Sequence, residues 1–281
     1  MGWTGGKLSG LTSRAAERIK KHPLTWALAW NSMPRLDLFL PHDQSYHGFK
    51  HLFRRPSGLF VDVGANNGMT QRGIRRLHPL CRILSIEANP SRIPELRRLS
   101  QRDPLADFLH VGLSDSAGEL TLHTPIYRGI PIHTHTSSSR EYLQVSLARD
   151  FSPGVVSRLT YRTDIVRVVT GDSLALEPDI IKIDVEGHDY QVLQGLDRTV
   201  ERHRPSIMVE FTPHEPDELD EWALRFDYVP AVFDRGRDTF TPFHRPTLTE
   251  AWHASGLQVN LFLVPAERCS GRGGRGPVAV A

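Results

Sequence analysis

The sequence predicts an α/β domain, a mostly parallel sheet with helices on both faces, and three observations carry that reading. Residues 59–63 form a short apolar run broken only by Asp62, and Gly64-Ala-Asn-Asn-Gly68 then turns into a segment beginning at Met69. The strand-then-helix pattern recurs at 81–87, at 179–184 and at 205–211, each followed by a segment with helical spacing. Each strand-like run carries an acid at or near its end: Asp62, Glu87, Asp184 and Glu210. In a doubly wound parallel sheet those ends share one edge, where ligands bind.

In chain order, residues 1–56 read as a basic, partly helical extension. Residues 11–30 could hold one or two short helices broken at Pro23, and 31–56 carry Pro34, Pro41, Gly48 and Pro56. Residues 1–55 hold nine Lys/Arg against Glu17, Asp37 and Asp43, about +6, which leaves about −4 for the remainder. A solvated face is the first reading of that charge; peripheral contact with an anionic membrane surface is the second. The domain proper is expected over 57–265. Asn89-Pro90-Ser91 caps a helix with Ile93, Leu96 and Leu99 on one side and Arg92, Arg97, Arg98 and Arg102 on its outer face. A third strand is expected at 108–113. Residues 124–165, with three prolines and the cluster His133-Thr-His-Thr-Ser-Ser-Ser139, read as a long irregular insertion that selects a substrate. One helix is expected over 188–203, another over 217–226, and strands at 226–233 and 258–264. Residues 266–281, rich in Gly and Arg, read as a flexible tail.

Composition narrows the class. With 281 residues, 39% hydrophobic and 23% charged, the chain can bury a full core. Its two cysteines allow neither a disulfide framework nor a cysteine metal cluster, and no apolar run is long enough to span a membrane. The start lacks a secretory pattern, so the expected location is the cytoplasm.

The glycine spacing carries the ligand argument. Glycines at 64 and 68 give G-x-x-x-G rather than the G-x-G-x-x-G of dinucleotide sites, which argues against a NAD-dependent oxidoreductase. A strand carboxylate with this shorter turn suits a ligand without a pyrophosphate, such as S-adenosylmethionine (SAM). Glu87 lies 19 residues beyond Gly68, near where such folds place the acid that accepts from ribose hydroxyls.

Three segments resemble the FkbM family of SAM-dependent methyltransferases: Val61-Asp-Val-Gly-Ala-Asn-Asn-Gly68, Ser85-Ile-Glu-Ala-Asn-Pro90, and Thr170-Gly-Asp-Ser-Leu174 with Ile181-Lys-Ile-Asp-Val-Glu-Gly187. The likeness covers roughly 58–212. It departs from the family pattern mildly at Ala88, Gly171 and Asp189. It implies a class I methyltransferase, Rossmann-like, with a seven-stranded sheet whose last strand is reversed, and methyl transfer from SAM to a hydroxyl of a sugar, glycolipid or other natural product. Carried onto this chain, Asp62, Gly64, Ala65, Asn66, Asn67 and Gly68 would face the methionine part of SAM. Glu87 would hold the ribose, Ala88 would lie beside it, and Ser114 and Asp115 would lie near the adenine. Asp184, Glu186 and His188 would serve the transferring methyl and the acceptor.

An alcohol acceptor needs a base within hydrogen-bond reach. Asp184 is the first candidate and Glu186 the second, with His188, His133 and His135 behind them. The structural readings stand beside these roles: Asp184 could pair with Lys182, Glu186 could cap the next helix, and Asp172 could only close a turn. The acids at 184, 186 and 210 lack a recognised metal spacing, so a metal-free mechanism is expected. An RNA or protein methyltransferase is the alternative; against it, no aromatic-basic RNA-binding signature is present, so nucleic acid is not an expected partner.

Overall fold

The computed structural model describes residues 25, 43–211, 218–243 and 259–269. Apart from Thr25, the expected helices within 11–30, the first 42 residues of the basic start that motivated membrane contact, and the tail from 270 onward lie outside the described residues.

The prediction of a sheet wrapped by helices holds. Strands β1 (Leu59–Val63), β2 (Arg82–Glu87), β3 (Ala106–His110), β8 (Ile180–Ile183) and β9 (Ser206–Phe211) pair in parallel, in the order β3-β2-β1-β8-β9. Beyond β9 come β12 (Val259–Pro265), β10 (Tyr228–Asp234) and β11 (Thr239–Pro242). β12 runs antiparallel to both β9 and β10, the reversed last strand that the resemblance implies. The sheet has eight strands rather than seven, because β11 folds back on β10 as an extra edge strand.

Strand alternation splits the core between the two faces. Val61, Val63, Ile181 and Ile183 pack with Val192 and Leu193 of helix α5 (Asp189–Gln194), Val200 of α6 (Asp197–His203) and Trp222 of α7 (Glu218–Arg225). Phe60, Ile180 and Phe262 face the other way, against Ile74 of α1 (Met69–Leu77) and against Tyr46, Phe49 and Leu52. Tyr46 and Phe49 belong to a 3-10 helix, Gln44–His51, capped by Asp43, whose side chain accepts from the Ser45 amide. Residues 43–56 therefore belong to the domain rather than to an extension, since three of their side chains are in its core. The tail likewise begins later than 266: a 3-10 turn at Ala266–Arg268 is held by Arg268 Nη1 donating to Ser206 Oγ at 2.9 Å.

Two further expectations change. The single helix over 188–203 is broken at Gly195, whose carbonyl accepts from the Asp172 amide at 2.9 Å. Asp172 lies in the 3-10 turn Gly171–Leu174, as expected of a turn residue, and its side chain also caps α6, accepting from the Thr199 amide at 2.7 Å and the Arg198 amide at 3.0 Å. The insertion is not an irregular loop. β5 (Gly118–Tyr127) pairs antiparallel with β7 (Thr160–Val169) along its length, flanked by β4 (Gly112–Leu113) and β6 (Ile130–Pro131), as a second, four-stranded sheet. Pro131 is tolerated because it lies on the edge strand β6, where a missing donor costs no ladder bond, and Pro153 because it opens α4. Helices α3 (Arg140–Asp150) and α4 (Pro153–Val156) fill the connection and pack Leu143, Leu147 and Val155 on Tyr127 and Ile132.

Candidate active site

The carboxyl ends of β1, β2 and β8 open into a cavity of ≈ 360 Å³, roofed by the second sheet and the residues leading into α3. That size falls within the ~300–1,000 Å³ of small-molecule sites. Its floor is the glycine turn after β1. Gly64 has φ +80°, and a Cβ there would lie 1.9 Å from the Asp184 carbonyl oxygen, so only glycine lets β1 and β8 end this close together. Gly64 and Ala65 donate their amides to the Ile86 carbonyl, which draws the turn against the end of β2.

Glu87 is the centre of this corner. Its Oε2 accepts from the Asn66 amide and its Oε1 from the Asn89 amide, each at 2.7 Å. Burial raises its pKa, and these two bonds with the Arg92 charge oppose the rise. Each oxygen retains a lone pair, so a diol could still be gripped. Asn66 also lines the cavity, with its side-chain Oδ1 buried and without a hydrogen bond.

Beside it, Asp62 and Lys182 are register partners on adjacent strands, and both are fully buried on the Tyr46 side of the sheet. Lys182 Nζ lies 3.5 Å from Asp62 Oδ1 and 3.0 Å from Asp184 Oδ2. Burial opposes the ammonium charge, but Asp184 and Asp62 outweigh it and hold the Lys182 pKa well above its ordinary value. Asp62 is thus part of a buried ion pair beneath the cavity and does not line it.

The loop after β8 brings the remaining acids together. Asp184 is 41% exposed and faces the cavity with Lys182 on one oxygen. Glu186, at φ +55°, accepts a 2.9 Å hydrogen bond on Oε2 from the Tyr142 hydroxyl, and its carbonyl accepts from Ser137 Oγ at 2.6 Å. Helix α3 can come this close because Gly187 has no side chain: a Cβ there would meet the Tyr142 ring at 2.6 Å. Burial, then Glu210 and Asp184, push the Glu186 pKa well above the carboxylate range, so it holds a proton more readily than an exposed glutamate. Asp189, below the loop, accepts from the Val185 and Gly187 amides, and burial and Asp184 raise it to about 6.

The other sequence candidates separate. Gly64, Ala65, Asn66, Asn67, Glu87, Ala88, Asp184, Glu186 and His188 line the cavity; Gly68, Ser114 and Asp115 do not. Ser114 instead supports His188, with Oγ 2.9 Å from Nε2 and 3.1 Å from Asp115 Oδ1. Burial lowers the His188 pKa. His135 is buried and engaged with Asp150 at 3.0 Å, and burial holds His133 down at about 4. The sequence reading missed Tyr142 altogether and put Arg92 on an outer helix face, whereas it lines the cavity before α2 (Ile93–Ser100). Among the described residues no group of His, Cys, Asp or Glu is arranged to hold a metal ion, and no helix is long and apolar enough to cross a membrane.

The strand order, the reversed β12 and a ligand cavity at the β1–β2 carboxyl ends define a class I methyltransferase fold. The profile of the methyltransferase FkbM domain matches residues 62–230, and the chain belongs to that family. A curated relative, methyltransferase sdnD of Sordaria araneosa, is 32% identical over 160 residues, 50% of this chain and 62% of the relative, so the chain spans less than two thirds of that protein's length. Among solved structures it is similar to an FkbM methyltransferase from Methylobacillus flagellatus KT, at 17% identity and a TM-score of 0.48, over 82% of this chain and 50% of that one. It is also similar to an Aeropyrum pernix fibrillarin with natively bound SAM, at 10% identity and a TM-score of 0.38, over 78% of this chain and 73% of that one.

Proposed function

We propose that this protein is a SAM-dependent O-methyltransferase acting on a hydroxyl of a sugar, glycolipid or other natural-product acceptor. The observation that carries this is Glu87, held by two backbone amides at the mouth of the glycine turn with a lone pair left on each oxygen. A ribose diol is the donor pair that such a carboxylate suits. The carboxylates at Asp184 and Glu210 around the same cavity favour a cationic sulfonium over a neutral or anionic cofactor. The reactive methyl comes from SAM when it is bound, already activated by the sulfonium charge.

The chain's own residues align the acceptor and handle its proton. Lys182 occupies Oδ2 of Asp184 and leaves Oδ1 to accept the hydroxyl proton as the new carbon–oxygen bond forms. Glu186, raised by its neighbours and bonded to Tyr142, is suited to hold the acceptor hydroxyl in place rather than to take its proton at neutral pH. His188 is neutral and anchored to Ser114, a positioning contact on the wall. The second sheet and the 133–138 segment cover the cavity against water. The test is transfer of labelled methyl from SAM into glycolipid and small-molecule extracts by the protein and by its Asp184→Asn variant. Label appearing as an alkali-stable ether and lost in the variant supports the reading; label only in RNA or protein overturns it.

A further inference from the structure

Among the described residues, one cation in this carboxylate-rich cavity has no hydrogen-bond or ion-pair partner. The Arg92 side chain lines the cavity between Glu87 and the insertion segment containing His133. Its Nε is sealed from solvent without a hydrogen bond, and the guanidinium makes no hydrogen bond or ion pair to any described residue. Every other arginine near it is engaged. Arg162 binds Asp164 Oδ2 at 2.8 Å and Ser91 Oγ at 2.7 Å, and Arg149 binds both oxygens of Asp150 at 3.0 Å. The acids that could answer Arg92 are committed too: Glu87 to two backbone amides, and Glu95 to Arg72 and Arg98. Burial pulls Arg92 down to about 10, with Arg162 adding to the fall and Glu87 and Glu95 opposing it, so the guanidinium keeps its charge. His133 beside it has a buried, unpartnered Nδ1.

A half-buried guanidinium without a counter-ion is costly unless a ligand supplies one. Its planar fork fits two oxygens of one phosphate or carboxylate. We propose that the acceptor carries such an oxyanion, seated on Arg92 against the 133–138 segment, so that the substrates are phosphorylated or carboxylated hydroxy compounds. This rests on the reading of the cavity as a methyltransferase site. It explains how one pocket takes both ligands: the Asp184 and Glu210 carboxylates favour the sulfonium, and the Arg92 guanidinium orients the acceptor.

The test is calorimetry on the whole chain. S-adenosylhomocysteine (SAH) is titrated first, into wild type, Arg92→Gln and the outer-face control Arg97→Gln; inorganic phosphate or acetate is then titrated into each SAH-saturated protein, with chloride as the blank. Wild type and Arg97→Gln should bind one of the two anions at least tenfold more tightly than Arg92→Gln, with SAH affinity unchanged within threefold. Phosphate preference would indicate a phosphorylated acceptor, acetate preference a carboxylated one. Equal anion binding by wild type and Arg92→Gln overturns the proposal, as does no binding of either anion by wild type. So does a tenfold loss of SAH affinity in Arg92→Gln, which would give the guanidinium to the cofactor's own carboxylate. Failure of wild type to bind SAH would count against the methyltransferase reading instead, and the anion titrations on the ligand-free protein would still test Arg92.

Discussion

Replacing Lys182 tests the interior that holds the site. Its ammonium sits between Asp62, wholly buried, and Asp184, and its own side chain is 4% exposed. Lys182→Met keeps most of the stem volume but removes the ammonium that faces the buried Asp62 carboxylate at 3.5 Å. Breaking a buried pair in this way costs about 3–5 kcal/mol, because the remaining charge keeps its desolvation penalty. The half-exposed bond to Asp184 adds only about 0–1 kcal/mol. The expected loss is therefore about 3–5 kcal/mol in urea unfolding at neutral pH, read as a fall in midpoint at constant slope. The double variant Lys182→Met/Asp62→Leu should recover at least half of it, since two packed apolar groups can replace a buried pair at little cost. A loss below about 1 kcal/mol for the single variant, or no recovery in the double, would refute the reasoning.

Other outcomes follow from the same geometry. Asp184→Asn should slow turnover by about 10²–10⁴-fold, the usual span for a lost general base, while SAH affinity in calorimetry stays within twofold. Gly64→Ala should destabilise the fold by at least about 2 kcal/mol in thermal unfolding, because a left-handed φ and a backbone collision act together. Asp189 has a folded pKa raised from 3.8 to about 6, so its contribution is present below about 3.8 and is lost as pH rises to about 6. Between pH 4 and 7 the stability of Asp189→Asn should therefore gain on wild type by about 2 kcal/mol; parallel pH profiles would contradict the shift.

How much of this was legible in the chain can be said residue by residue. The strands were readable because Phe60, Val61, Val63, Ile180, Ile181 and Ile183 fill both faces of a buried sheet, and the acids ending them lie close in sequence to their glycine turns. Glu87 could be placed by counting from Gly68, since the strand–helix–strand unit has a nearly fixed length. The second sheet was not legible: the β5–β7 ladder joins Gly118 to Val168, and pairing that distant leaves no local signal beyond alternation, which Pro125 and Pro131 obscured. Arg92 was misplaced because helical spacing gives a face only inside a helix, and this residue precedes the first turn. Tyr142 reaches Glu186 across 44 positions, a contact that exists only once α3 folds over the loop. The Asp62–Lys182 pair is likewise a product of strand register, not of spacing.

The proposed function requires that the corner made by Glu87 and the 64–68 turn bind a SAM-type nucleoside. Calorimetric titration of SAH into wild type and Glu87→Gln tests it most directly, with far-UV circular dichroism to confirm that both are folded. Saturable one-to-one binding to wild type, weakened at least tenfold in the variant, is the predicted result. Undiminished affinity in a folded Glu87→Gln protein, or no binding to wild type at millimolar SAH, would contradict it.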